Sequence, residues 1–233
     1  MNWDRWLEFA EGPLFAVAFL VMLLGLVRHV ILQVHLLATK GRTLHRVYWW
    51  RIVVDSLSWA FPVRHLMRGT IILTVTSILF HAGAILVPLF LADHVVLWEG
   101  FLGLPLPSLE QQIADFLTVL TIASLLVLLA YRVLIPRSRA LSKPGDYVIL
   151  CMVLLPFLSG CLATHPSVNP LPWQIMMLIH VLSAEALFVV APFTKLAHIV
   201  LFPFDRLSQV HWQLRPGAGE QVATALYGDE ARV

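Results

Sequence analysis

The sequence predicts an all-α, polytopic membrane protein with five transmembrane helices bundled together. Of its 233 residues, 59% are hydrophobic and only 13% are charged, and the mean hydropathy is +0.80. A soluble domain with so little polar surface could not cover its exterior. The apolar residues form long runs instead of alternating ten-residue segments, which excludes an outer-membrane barrel. The spans are therefore expected to be helices.

Five apolar stretches are long enough to cross a bilayer. They run over Pro13 to about Val34, Gly69–Trp98, Ile113–Ile135, Tyr147–Ala163 and Trp173–Phe202. Gly and Pro cluster in three links, Gly100–Pro107, Pro136–Gly145 and Pro166–Pro172, which predicts turns there. We expect residues 1–215 to form the five-helix domain and residues 216–233 to form a mobile cytoplasmic tail.

Charge predicts the orientation of these spans. Lys and Arg follow the first, third and fifth spans, whereas the links after the second and fourth spans contain neither. By the positive-inside rule, the amino terminus is expected outside and the carboxyl terminus in the cytoplasm, with the 34–68 loop cytoplasmic. The net charge of +2 is too balanced to indicate nucleic acid as a partner.

Four histidines inside the apolar spans indicate a function, because an ionisable side chain is costly there. His180 and His198 in the fifth span are eighteen residues apart, which on one continuous helix gives a shared face and a rise of about 27 Å. His81 and His94 in the second span are thirteen residues apart, with a rise of about 20 Å. The second pair shares a face only if the helix bends, and Pro88 supplies a cause for a bend.

The second and fifth spans run in opposite directions, so His81 is expected near His198 and His94 near His180. A pair of imidazoles fills both axial positions of a haem iron, which favours two b-type haems. Covalent attachment is excluded because the sequence has no CxxCH motif. Zinc fits less well, since four histidines at two depths cannot converge on one ion. A lone intramembrane histidine, by contrast, is often only hydrogen-bonded between helices.

Other polar residues have both functional and ordinary interpretations. Arg68 and Lys195 could pair with haem propionates or simply extend to the inner interface. Glu185 could be protonated, could relay a proton near a quinone, or could be satisfied by a hydroxyl group. His65 is the alternative to His94 as the fourth ligand. Asp93 could accept a hydrogen bond from the His94 ring, and Glu110 and Asp115 could be proton acceptors or ordinary interfacial charges. Cys151 and Cys161 are not expected to form a disulfide. Loop or interface positions are expected for His29, His35, His45, His165 and His211.

The segment Ile179–Val200, IHVLSAEALFVVAPFTKLAHIV, resembles the fifth helix of the membrane gamma subunit of respiratory nitrate reductase. The LFH triplet at Leu79–His81 resembles the second helix of that subunit. The resemblance implies a di-haem cytochrome b that exchanges electrons between quinone and Fe–S or molybdenum-type partner subunits. It also implies a multi-pass protein of a bacterial or archaeal cytoplasmic membrane, and an electron-transfer subunit more than a complete enzyme.

His81, His180 and His198 match the ligand positions of that family. Two departures argue against nitrate reductase proper. The family's second ligand in the second helix falls on Leu91 here, so His94 is assigned by depth, and the outer loop has no Lys at the family's quinol position. The competing hypothesis is a haem-free membrane anchor or a proton-coupled transporter, although five spans do not divide into the two matching halves of many transporters.

Overall fold

The computed structural model describes residues 3–39 and 71–202, together with residues 50, 54, 204 and 224. All regular structure in these residues is helical. The main helices are α1 (Trp3–Phe9), α2 (Phe15–Thr39), α3 (Ile71–Phe90), α4 (Ala92–Leu102), α5 (Gln111–Leu134), α6 (Pro136–Leu141), α7 (Pro144–Thr164) and α8 (Trp173–Val190). A π-helical turn, Ala10–Leu14, joins α1 to α2. Arg68, His45, His65, His211 and nearly all of the 34–68 loop and 216–233 tail lie outside the described residues.

Five helical segments are long and apolar enough to cross a membrane, which confirms the predicted class. They are Trp3–Leu36, Ile71–Phe90, Gln111–Leu134, Pro144–Thr164 and Trp173–Phe193. Cys151 and Cys161 on α7 are both free, as expected. The prediction of a simple turn over Pro136–Gly145 is wrong, because helix α6 begins there at Pro136. Proline suits the first helical position, where no N–H is needed.

The chain forms two compact units. The first combines Met1–Val17 with Arg64–Leu187, and the second combines Ala18–Val63 with Phe188–Val233. Within the first unit, the closest helix pairing joins α3 to α5, followed by α5 with α7. No comparably extensive backbone contact joins α8 to another described helix.

Gly83 allows α3 to lie against α5. A Cβ added at Gly83 would collide with Thr121 Oγ1 and would approach the Leu117 carbonyl oxygen to 3.1 Å. Thr121 is fully buried, and its hydroxyl donates to the Leu117 carbonyl at 2.6 Å. Small residues serve this purpose in membranes, where close van der Waals packing holds helices together.

The second span does not continue to Trp98 as predicted. Helix α3 ends at Phe90, and Leu91 is extended (φ −61°, ψ 136°) before α4 begins. The break leaves the Pro88 carbonyl without its helical donor, and the Trp98 indole Nε1–H donates to that oxygen at 2.9 Å. Trp98 also packs against Phe15, with ring centroids 5.9 Å apart. Trp98 is therefore buried, and its indole satisfies the carbonyl oxygen released at the end of α3.

The fifth span is also interrupted. Helix α8 ends at Val190 and is followed by two 3₁₀ turns, Ala191–Phe193 and Lys195–Ala197. Pro192 has no N–H to continue the α-helical hydrogen bonds. The expected shared face of His180 and His198 was calculated for one continuous helix, so that argument is wrong.

Within the second unit, α2 contacts this interruption. His29 Nε2 donates to the Pro192 carbonyl at 2.7 Å. One turn earlier, a Cβ at Gly25 would lie 2.5 Å from Pro192 Cβ. Phe19 meets Phe188 edge to face with ring centroids 6.1 Å apart. The expectation of a loop position for His29 is therefore wrong, because His29 lies on α2 and supplies the donor for a carbonyl at the helix break.

Candidate cofactor site

His94 and His180 lie together in the first unit. Their imidazole planes are parallel to within 1°, and their ring centroids are 5.9 Å apart. His180 belongs to the membrane-spanning helix α8, whereas His94 lies on α4, beyond the break that ends the second span. The structure thus brings together the two histidines that their predicted depths paired, and their role as iron ligands stays a prediction.

Helix α7 holds the His180 ring. Nδ1 of His180 lies 2.8 Å from the Pro156 carbonyl oxygen. Four residues later, Gly160 has no side chain to block the ring, and a Cβ there would lie 2.8 Å from Cε1 and 2.9 Å from Nδ1. A glycine at this turn of α7 therefore gives the imidazole access to a backbone carbonyl.

The helix break positions His94. Its Nδ1 lies 3.3 Å from the Val87 carbonyl oxygen near the end of α3. This carbonyl is the acceptor for the His94 ring, a role that the sequence suggested for Asp93. Burial lowers the pKa of the His94 imidazole, which favours the neutral ring.

These hydrogen bonds determine which nitrogen of each ring carries the proton. A carbonyl oxygen only accepts, so Nδ1 is the protonated nitrogen of both neutral rings and Nε2 retains its lone pair. Neither Nε2 has a hydrogen-bond partner within residues 3–39 and 71–202. Metal-binding histidines commonly show this arrangement, in which the other nitrogen donates to a carbonyl.

The separation of the two rings is slightly shorter than two ligands of one iron would have. Imidazole nitrogens bind metals at about 2 Å, so two rings on opposite sides of one ion have centroids about 6 to 6.5 Å apart. The observed 5.9 Å lies just below this range. Offset aromatic pairs also span this distance, so the orientation of both Nδ1 atoms toward backbone carbonyls is what favours a ligand pair. The described residues include no group of three or more His, Cys, Asp or Glu suited to a metal ion, whereas haem needs only two.

The other predicted ligands, His81 and His198, belong to different units. His81 is exposed on α3, and its Nδ1 lies 2.7 Å from the Ser77 carbonyl oxygen. His198 is exposed just after the second 3₁₀ turn, and its Nδ1 lies 2.7 Å from the Lys195 carbonyl oxygen. Lys195 is exposed in that turn, and its pairing with a propionate stays a prediction.

Two further polar features lie in the first unit. Glu185 is buried on α8, and neither carboxyl oxygen has a hydrogen-bond partner, so the interpretation that a hydroxyl satisfies it is wrong. Asp115 accepts a hydrogen bond from Gln111 Nε2 at 2.9 Å and lies 4.0 Å from His165 Nε2. His165 thus joins the ends of α5 and α7.

Sequence reasoning missed Gly160, Gly25 and Trp98 as structural supports. Gly25 and His29 are four residues apart, so the signal for a shared helix face was present. Their partner at Pro192 is 163 residues from His29 in sequence, and nothing local to either segment indicates that contact.

The five apolar helices define the class of protein, an all-helical, multi-pass membrane protein. The chain is 36% identical over 204 residues to a protein of Nitratidesulfovibrio vulgaris (strain Hildenborough), with 85% of this chain and 89% of the relative covered. The chain belongs to the same family as this relative, whose name, "Protein", states no function. No family model matches the chain, and no solved structure matches it.

Proposed function

We propose that this protein is a membrane-anchoring di-haem cytochrome b subunit that transfers electrons between quinone or quinol and the redox subunits of a respiratory complex. The observation that carries the proposal is the His94–His180 pair, with parallel rings 5.9 Å apart and both Nδ1 atoms on backbone carbonyls. A haem held by these two imidazoles would supply one-electron transfer.

The residues of the chain would divide the work as follows. His94 and His180 would hold the outer cofactor through Nε2, while the carbonyl oxygens of Val87 and Pro156 fix the orientation of the rings. His81 and His198 are the proposed ligands of the second haem, and each directs Nδ1 to a backbone carbonyl oxygen of its own segment. The described helices carry many exposed apolar side chains, which suit both lipid and the flat face of a cofactor.

The limited backbone contact of α8 is a second support. Helices that pack directly have axes 8–10 Å apart, as the close pairing of α3 with α5 requires. Among the described helices, α8 makes no comparably extensive contact, yet His180 on α8 reaches α7 and lies beside His94 on α4. Cofactor sites in helical bundles are built in this way, from side chains on facing helices.

The partners belong to the same proposal. Quinol would react near the outer pair, where Asp115 and Glu110 are candidate proton acceptors. Fe–S or molybdenum-type subunits would dock on the cytoplasmic side, on the basic 34–68 loop. The resemblance to the nitrate reductase gamma subunit supports this arrangement, and the membrane would be a bacterial or archaeal cytoplasmic membrane.

The test is the haem content and absorption spectrum of the protein purified in detergent. We expect two b-type haems per chain, of which one is lost in His94→Ala and in His180→Ala. The matched control is His35→Ala, since His35 is exposed on α2. A colourless protein would overturn the proposal and leave a haem-free anchor or transporter. A His94→Ala variant that keeps both haems would refute His94 as a ligand, and loss of one haem in His65→Ala would then identify His65 in its place.

A further inference from the structure

Glu185 has a buried carboxyl group without a hydrogen-bond partner in the described part of the chain. It lies in the middle of the span Trp173–Phe193, and only 4% of the residue surface is exposed. Its two oxygens are the only buried side-chain oxygen or nitrogen atoms without a hydrogen-bond partner in the described part of the chain. Buried polar groups are normally satisfied, so this exception requires an explanation.

No electrostatic partner of the Glu185 carboxyl is found among the described residues. On α8 the only other titratable group is His180, and on α7 the titratable groups are Asp146, Tyr147, Cys151 and Cys161. None of these acts electrostatically on the Glu185 carboxyl.

This environment selects one protonation state. An ionised carboxylate in an apolar medium with no donor and no cation loses its hydration without compensation, whereas the neutral acid has a far smaller penalty. A purely structural role also does not account for Glu185, because it forms no hydrogen bond that would stabilise the helices.

Glu185 also lies close to the paired histidines. It follows His180 by five residues on the same helix, which is a rise of about 7.5 Å and a rotation of about 140°. The carboxyl therefore points away from the ligand face of His180. At this distance in a low-dielectric interior, a change of charge beside His180 acts on the carboxyl with little screening.

We propose that Glu185 is a proton-binding site, a neutral carboxylic acid in the membrane interior that senses the redox state of the cofactor held by His94 and His180. The site takes one proton from water, forms one O–H bond at a carboxyl oxygen, and changes no bond to carbon. The redox-sensing part rests on the proposed function, whereas the proton-binding part stands on the burial of Glu185 alone.

The test is infrared spectroscopy of the full chain in detergent at neutral pH. We expect a C=O stretching band of a protonated carboxylic acid in the wild type, which is absent from Glu185→Gln and present in Glu99→Gln, the control at an exposed glutamate. Glutamine has nearly the same shape as the neutral acid, so we expect Glu185→Gln to fold with unchanged thermal stability. If it does not accumulate, Glu185→Asp serves instead, and the band must change frequency.

A second measurement tests the redox response. Reduction with dithionite should shift the Glu185 band in the wild type, and the reduction potential of the outer cofactor should depend less on pH in Glu185→Gln. If the protein holds haem but the band is the same in wild type and Glu185→Gln, the proton site is refuted. If the band is present in protein that binds no haem, the electron-transfer function and the redox response are refuted and the proton site stands.

Discussion

Replacing Gly160 by alanine would test how the His180 ring is positioned. The added Cβ would lie 2.8 Å from Cε1 and 2.9 Å from Nδ1 of His180. Carbon atoms in ordinary contact are about 3.5 to 4 Å apart, so the ring must retreat by about 0.6 Å or more. A retreat of this size would extend the 2.8 Å distance to the Pro156 oxygen toward the limit of hydrogen bonding.

The expected destabilisation combines three effects. Overpacking costs about 1–3 kcal/mol, and weakening a hydrogen bond costs about 1 kcal/mol. Replacing glycine by alanine inside a helix returns about 0.5–1 kcal/mol. The net loss for Gly160→Ala is therefore about 1–3 kcal/mol, relative to the wild type.

Gly145→Ala is the matched control, because Gly145 lies on the same helix with nothing within 4 Å of an added Cβ. Thermal unfolding in detergent should place Gly160→Ala below the wild type and Gly145→Ala at or above it. The NMR signals of the His180 ring should change only in Gly160→Ala. Equal stability of the two variants with an unchanged His180 signal would refute the assigned position of the ring.

Three further substitutions test other contacts by thermal unfolding. Trp98→Phe removes the donor to the carbonyl at the α3 break and should lower the free energy of unfolding by about 1–2 kcal/mol. The same change at the exposed Trp173 should lower it little. Equal losses in the two variants would contradict the supporting role of the Trp98 indole. His29→Leu should lower stability by about 1–3 kcal/mol through an unsatisfied carbonyl, and His35→Leu is its exposed control. Gly83→Ala should cost at least about 1–3 kcal/mol through overpacking, and a neutral result would refute the close approach of α3 and α5.

The number and place of the spans could be predicted from the sequence because length and hydropathy are local properties. Their ends could not. The second span reads as apolar through Trp98, yet helix α3 stops at Phe90. Proline alone does not decide this, since Pro156 lies inside α7 without ending it. What differs at Pro88 is a tertiary donor, the indole of Trp98, for the released carbonyl.

The same reasoning explains the fifth span. Its eighteen-residue histidine spacing implied a shared face, and this inference needed a continuous helix. The interruption at Ala191–Phe193 is accompanied by contacts from Gly25 and His29 on α2. Helical phase is therefore reliable only as far as the hydrogen-bonded backbone continues, and distant residues decide where it stops.

The hydrogen-bonding nitrogen separates the roles of the histidines more clearly than position in a span does. All four predicted ligands direct Nδ1 to a backbone carbonyl, whereas His29 uses Nε2 for Pro192. A ring bound through Nε2 to a carbonyl has given up the nitrogen that His94 and His180 keep without a hydrogen-bond partner in the described part of the chain. His165 also uses Nδ1, but its Nε2 faces Asp115 at 4.0 Å. Position within the apolar spans identified the candidate ligands among the histidines. The side-chain hydrogen bonds then distinguish histidines that support the fold from the proposed ligands.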